Sequence, residues 1–81
     1  MFIVYSKDNC PACENAKKML HESKKEYTIV KIVQDDAIDG EINRADFIEK
    51  FPGVRVVPYI QTPTNTYVKN ITELQSYINS M

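Results

Sequence analysis

The sequence predicts an α/β fold in which a four-stranded mixed sheet is flanked by three helices. Short β-branched or aromatic runs alternate with segments whose apolar residues recur every three or four positions, and turn-forming residues separate them. The resulting order is strand, helix, strand, helix, strand, strand, helix. Because strands joined through a helix pair in parallel and strands joined by a tight turn pair antiparallel, we expect one layered α/β arrangement around a mixed sheet.

The first half of the chain supplies two strands and the first helix. Residues 2–5 form a continuous apolar run, which is typical of a strand buried on both faces. From Cys10 onward the spacing is helical, and Pro11 suits the first helical position because it has no N–H to leave without a partner. Residues 27–33 are rich in β-branched side chains and predict a second strand. The inward side of the helix should carry Cys13, Ala16, Met19, Leu20 and Ser23.

The middle of the chain predicts a loop and a second helix. Residues 34–40 are acidic and contain turn formers, so they are expected to form a loop. Residues 41–51 predict a helix, which the following Pro52-Gly53 would end. The side chains expected to face the core are Ile42, Ala45, Ile48 and either Phe47 or Phe51.

The last third predicts two strands and the third helix. Residues 54–61 predict a strand interrupted at Pro58, and a turn at residues 62–65 leads into a short return strand at residues 66–68. Thr72 is the expected N-cap of the last helix. The side chains of this helix expected to face inward are Leu74, Tyr77 and Ile78.

Composition excludes several classes of protein. The 81 residues are too few for two domains, so we expect residues 1–81 to form a single domain, and 43% hydrophobic residues exclude an intrinsically disordered chain. A net charge of -1 gives no electrostatic basis for binding nucleic acid or a membrane surface. No apolar run reaches a membrane-spanning or leader-like length. We therefore expect a cytoplasmic protein, acting as a monomer.

The chemistry is carried by the cysteine pair in Cys10-Pro11-Ala12-Cys13, which lies between a predicted strand and a predicted helix. The thiolate is the nucleophile, and a free cysteine with a pKa of about 8.5 supplies little of it at neutral pH. At a helix N-terminus, unpaired N–H groups carry partial positive charge, so a sulfur at the N-cap is stabilised as the anion. Lys7 adds a second positive charge. We expect Cys10 to be the attacking thiolate, stabilised by Lys7, Pro11 and Ala12.

Cys13 is expected to have the complementary role. It belongs to the inward side of the helix, so its sulfur should be the more buried of the two. One helical turn brings the two Cα atoms within the range of a disulfide. Cys10 would form a mixed disulfide with a substrate, and Cys13 would then attack Cys10 to release the substrate in reduced form.

Two other uses of the cysteine pair have less support. A structural disulfide that closes so short a loop constrains the unfolded chain little, and the cytosol would reduce it. A zinc site needs four ligands, and the only further soft donor is His21. These three side chains are too few to complete a site, so we expect no bound metal.

With this site and element order, the chain resembles the glutaredoxin family of the thioredoxin fold. The resemblance is carried by residues 4–17, by residues 53–58, which end in Val57-Pro58, and by the helix start at Thr72-Glu73-Leu74. It implies a dithiol glutaredoxin that reduces protein disulfides, such as those of ribonucleotide reductase, and glutathione mixed disulfides. It further implies glutathione as a co-substrate and no tightly bound cofactor.

The resemblance also implies roles for residues outside the cysteine pair. From the residues alone, Pro58 is better explained as a trans proline at a strand start, whereas the resemblance implies a cis Val57–Pro58 bond beside the cysteines. Val57 and Pro58 would then lie in the cleft that binds glutathione or a peptide. Lys7 would contact a glutathione carboxylate, and Thr72 and Glu73 would hold the γ-glutamyl carboxylate at the helix N-terminus.

The sequence departs from the family pattern in two places. Ala12 replaces the tyrosine common in the active-site motif, which leaves the cysteines more open to a protein substrate. Lys69-Asn70 replaces the usual glycine pair before the last helix, which leaves the reductant open between glutathione and thioredoxin reductase. Two other functions remain as alternatives. One is a module in which two chains share an iron–sulfur cluster with glutathione, which Pro11 disfavours, and the other is a redox-inert adaptor.

Overall fold

The α/β class is confirmed, with a sheet of five strands in the part of the chain that the structure describes. The structure is a computed structural model that describes residues 1–54 and 57–80. Its elements are β1 (Phe2–Ser6), α1 (Pro11–Glu22), β2 (Tyr27–Val33), β3 (Glu41–Asn43), α2 (Arg44–Lys50), β4 (Tyr59–Gln61), β5 (Tyr67–Val68) and α3 (Ile71–Asn79). None of the helices in these two ranges has both the length and the apolar character needed to cross a membrane.

β1 is the central strand of the sheet, whose order is β3-β2-β1-β4-β5. It runs parallel to β2 and antiparallel to β4, so Val4 lies between Ile29 on one side and Ile60 on the other. β2 pairs in parallel with β3, and β4 pairs antiparallel with β5. Val4 has no exposed surface and Tyr5, on the opposite face of the strand, is 3% exposed, which confirms that β1 is buried on both faces.

The two faces of the sheet are covered by different helices. Because successive side chains of a strand point to opposite faces, Phe2 and Val4 face one layer while Tyr5 faces the other. α1 and α3 cover the first face, where the buried cluster consists of Phe2, Val4, Ala16, Leu20, Ile60, Val68 and Leu74. α2 covers the second face, where the buried aromatic cluster consists of Tyr5, Phe47, Phe51 and Tyr59.

The prediction of a continuous helix over residues 41–51 is wrong at both the start and the inward face. Residues Glu41–Asn43 form strand β3, which accounts for the fifth strand. Asn43 has extended backbone angles, and its Oδ1 accepts the N–H of Asp46 at 2.8 Å, so the helix begins only at Arg44. Phe47 and Phe51 are both buried, whereas Ala45 and Ile48 are exposed.

The last third of the chain follows the predicted order with two corrections. The predicted strand over residues 54–61 is present as Tyr59–Gln61, and its residues 55 and 56 lie outside the described residues. The N-cap of α3 is Asn70 rather than Thr72, because the Asn70 Oδ1 accepts the N–H of Glu73 at 2.8 Å. The inward face of α3 is confirmed: Leu74 is buried, and Tyr77 and Ile78 pack against the same cluster.

Truncation of Leu20 should destabilise the fold by about 2–5 kcal/mol, because this fully buried side chain joins α1 to the sheet and leaves a cavity when shortened. Urea denaturation of Leu20→Ala measures the loss. Lys18→Ala, on the exposed side of the same helix, is the control and should change the free energy of unfolding by less than about 0.5 kcal/mol. Equal losses in the two variants would contradict the assigned core.

Candidate active site

The position of Cys10 follows from the junction between β1 and α1. β1 ends at Ser6, a short loop follows, and Cys10 caps the helix with an extended backbone (φ -118°, ψ 95°). Pro11 occupies the first helical position, as predicted. The Cys10 Sγ accepts the backbone N–H of Cys13 at 3.2 Å. The sulfur therefore occupies the place that a capping oxygen takes in other helices, against the positive end of the helix dipole.

The two cysteines are joined as a disulfide within the first turn of α1. Their Cα atoms lie 5.2 Å apart, close to the separation expected for one helical turn. Cys13 has no exposed surface, whereas Cys10 retains 8% exposure, which confirms that Cys13 is the more buried. An incoming molecule therefore reaches the sulfur of Cys10 first.

A cleft of about 630 Å³ opens beside Cys10. Its walls come from the loop before α1, the end of β2, α2 and the segment that precedes β4. This brings together Lys7, Cys10, Pro11, Ala12 and Val57, five of the predicted site residues. The other residues that line the cleft are Asn9, Ile32, Gln34, Arg44, Phe47, Ile48, Gly53 and Val54.

The charged residues known to line this cleft are positive. In the part of the chain that the structure describes, Lys7 and Arg44 contribute to the lining, and no aspartate or glutamate does so. Asp8 follows Lys7 directly, but its carboxylate pairs with the Lys31 Nζ at 3.1 Å. Within residues 1–54 and 57–80, neither Lys7 nor Arg44 forms an ion pair. The cleft therefore offers two cations to an anionic group beside the sulfur.

The Val57–Pro58 bond is cis, in agreement with the resemblance and not with the trans interpretation. Pro58 is fully buried, while Val57 lines the cleft. Tyr59 follows and pairs with Tyr5, so the antiparallel register carries residues 57 and 58 to the end of β1 that leads to the cysteines. Val57 thus faces the cleft, with Pro58 packed behind it.

Thr72 and Glu73 lie outside this cleft. The first turn of α3 is already capped by its own neighbours: Asn70 accepts the N–H of Glu73, and the Glu73 Oε2 accepts the N–H of Lys69 at 3.0 Å. These two hydrogen bonds lie at the helix terminus that the family resemblance predicts to receive the γ-glutamyl carboxylate. The role of Thr72 and Glu73 in binding glutathione stays a prediction.

Sequence reasoning missed Arg44 and assigned Ile48 to the core. Arg44 is the only cation between Lys31 and Lys50, within a stretch that carries six carboxylates: Asp35, Asp36, Asp39, Glu41, Asp46 and Glu49. That isolation was a signal available in the sequence. Ile48 carries no such signal. Its spacing fits the inward side of the predicted helix over residues 41–51, whereas α2 begins three residues later, at Arg44.

The metal interpretation finds no geometric support in α1. His21 lies near the end of the helix, about 16 Å along its axis from Cys10. One tetrahedral ion with bonds of about 2.0–2.3 Å cannot reach both residues.

Together, the mixed sheet with β1 at its centre, the helices on both of its faces and the helix capped by Cys10 define a thioredoxin-like fold that carries a dithiol site. A comparison with protein-family models matches residues 2–61 to glutaredoxin, a span that includes both cysteines and Val57–Pro58. The chain belongs to the glutaredoxin family, whose general activity is thiol–disulfide oxidoreduction. A comparison with curated proteins gives no significant match.

In the reduced protein we expect the thiol pKa of Cys10 to lie below that of Cys13 and below the free value of about 8.5, because its sulfur accepts an N–H at the helix terminus. The pH dependence of alkylation measures each thiol alone. Cys13→Ser reports on Cys10 and keeps the donor, which is a backbone group, while Cys10→Ser reports on Cys13. A midpoint for Cys10 at or above that for Cys13 would refute the assignment.

Proposed function

We propose that the protein is a dithiol glutaredoxin that reduces disulfides in other proteins, with Cys10 as the attacking thiolate and Cys13 as the resolving thiol. The observation that supports this most directly is the Cys10 sulfur, which accepts the Cys13 N–H on the helix terminus and borders a cleft. A thiolate held in this position can meet a substrate disulfide. Its partner is one helical turn away, within disulfide distance.

The first step of the exchange is attack on the substrate. The Cys10 thiolate attacks one sulfur of the substrate disulfide, a bond forms between Cys10 and that sulfur, and the other substrate sulfur leaves as a thiolate. That leaving thiolate takes up a proton from solvent. The positive helix terminus, with Lys7 at the cleft, stabilises the attacking anion before the bond forms.

The second step releases the substrate. Cys13 loses its proton and attacks the Cys10 Sγ, the bond between Cys10 and the substrate breaks, and the second substrate sulfur leaves and takes that proton. Two electrons have then passed from the protein dithiol to the substrate disulfide, and the protein is left as the Cys10–Cys13 disulfide. A thiol reductant must return two electrons before the next turnover.

Glutathione is the reductant that we propose for this return step, with thioredoxin reductase as the alternative. Two glutathione thiols would reduce the Cys10–Cys13 disulfide and form glutathione disulfide. Lys7 would meet one of the glutathione carboxylates, and Val57 would offer its backbone to the bound thiol, as the family resemblance implies. These roles are supported by the position of both residues in the cleft.

The remaining parts of the proposal concern the setting of this chemistry. We propose protein disulfides such as those of ribonucleotide reductase as substrates, action as a monomer, and the cytoplasm as the compartment. Reducing conditions there would keep the cysteine pair available as a dithiol.

Substitution of either cysteine should separate the two steps. Cys10→Ser should abolish reduction of an insulin disulfide, because no nucleophile remains at the helix terminus. Cys13→Ser should retain reduction of a glutathione mixed disulfide, where glutathione can release Cys10, but lose dithiol transfer to the protein disulfide. Both activities are measured with the same coupled assay. Undiminished turnover by Cys10→Ser, or dithiol transfer by Cys13→Ser, would overturn the respective role.

The source of electrons can be tested with the unmodified protein. We expect turnover of a protein disulfide to continue when electrons come from NADPH through glutathione reductase and glutathione. The reason is that the cations of Lys7 and Arg44 line the cleft, and none of the described lining residues is a carboxylate. The parallel reaction supplies thioredoxin reductase in place of the glutathione system. Turnover sustained by thioredoxin reductase alone would show that glutathione is not the reductant.

A further inference from the structure

The wall of the cleft formed by α2 carries an isoleucine that the core does not use. Phe47 points into the aromatic cluster with 5% of its surface exposed, whereas the adjacent Ile48 is 45% exposed and lines the cleft that Cys10 also lines. Ile32 and Val54 line the same cleft. A single exposed isoleucine on a convex surface is unremarkable, but this one faces a concavity shared with a reactive sulfur.

The charged residues of the cleft indicate which second group a bound substrate should carry beside an apolar side chain. Arg44 precedes Ile48 by one helical turn, so the two side chains lie on the same side of α2. Lys7 contributes a second cation from the loop before Cys10. Lys50, the other cation of α2, lies outside the lining and sits over the rings of Tyr5 and Phe51, at 5.8 and 5.6 Å from their centres.

We propose that this cleft selects a disulfide-bearing polypeptide segment in which a large apolar side chain and a carboxylate flank the reactive cysteine. Ile48 is then a specificity-determining residue for the apolar side chain, and Arg44 for the carboxylate. Glutathione supplies carboxylates but no large apolar side chain, so the contact with Ile48 distinguishes a protein segment from the small thiol. The inference rests on the proposed function and names the substrate class of the same site.

The test uses one disulfide-bonded peptide with leucine and glutamate beside its reactive cysteine, together with two altered peptides. One replaces the leucine by serine, and the other replaces the glutamate by glutamine. Wild-type protein should reduce the parent peptide with a kcat/KM about five- to tenfold above that for the serine peptide, because burial of the leucine side chain stabilises the complex. The difference should lie mainly in KM, since the reacting sulfurs are unchanged.

Three variants assign the apolar preference to a position. Ile48→Ser should bring the ratio of kcat/KM for the leucine and serine peptides close to one, while Ile48→Leu should keep the wild-type ratio. Ile38→Ser is the matched control, because Ile38 is 71% exposed but lies in the loop of residues 34–40 and does not line the cleft. It should keep the wild-type ratio. Far-UV circular dichroism confirms that each variant is folded.

A second pair of variants assigns the preference for the carboxylate. Arg44→Gln should reduce the ratio of kcat/KM for the glutamate and glutamine peptides, and added salt should have the same effect on the wild type. Lys50→Gln, on the same helix but outside the cleft lining, should leave that ratio unchanged.

The results that would overturn the role of Ile48 differ from those that would overturn the proposed function. Equal kcat/KM for the leucine and serine peptides in wild type, or the same loss of preference in Ile38→Ser as in Ile48→Ser, would overturn the assignment of Ile48. In both cases reduction of the peptides that depends on Cys10 would persist, and the proposed function would stand. A wild-type protein that reduced none of the peptides and no glutathione mixed disulfide would overturn both.

Discussion

The hydrogen bond from the Cys13 N–H to the Cys10 sulfur is the interaction on which the candidate site depends. This hydrogen bond requires Cys10 to be the N-cap of α1. The position of Cys10 is set by the central strand β1, which ends four residues earlier at Ser6. The same helix turn fixes the distance between the two cysteines. One turn of helix thus stabilises the charge on the attacking sulfur and places the resolving sulfur within disulfide distance of it. The remainder of the fold determines what can approach that pair.

Approach to the pair is controlled by elements that are distant in sequence. The loop before α1 supplies the sulfur and one cation, α2 supplies the other cation and an apolar side chain, and Val57 closes the cleft from the β4 side. The carboxylate nearest to Lys7 in sequence, on Asp8, is drawn towards Lys31 of β2 instead. The cleft is left with a positive character that the net charge of -1 for the whole chain does not reveal.

The parts of the fold that could be predicted from sequence are those set by local signals. Pro11 after Cys10 fixed the start of α1, and the apolar run of β1 identified the central strand, because each signal lies next to the structure that it determines. β3 was missed because it is three residues long and pairs in parallel with β2 across a loop shorter than such pairs usually require. Asn43, the N-cap that separates β3 from α2, is present in the sequence, but the spacing of the apolar residues over 41–51 predicts one continuous helix.

The cleft was harder to predict than the cysteine pair for a physical reason. Cys10 and Cys13 are joined by one turn of backbone, so their relation follows from spacing alone. Arg44, Ile48 and Gln34 reach the cleft through the packing of α2 and β2, and spacing contains no information about that packing. Thr72 shows that a local signal can also mislead. Threonine is a good capping residue, but Asn70, two positions earlier, caps the helix instead. Its Oδ1 accepts the N–H of Glu73, and the Glu73 carboxylate accepts the N–H of Lys69.

Asn43 ends β3 and also caps α2, so no flexible linker lies between the sheet and the helix wall of the cleft. That wall should move together with the edge of the sheet as one rigid unit. The cleft then has nearly the same shape before and after a disulfide substrate binds. The conformational entropy lost on binding is therefore lost mainly by the substrate chain. Substrates that are already held in an extended, ordered segment would gain the most from such a preformed surface.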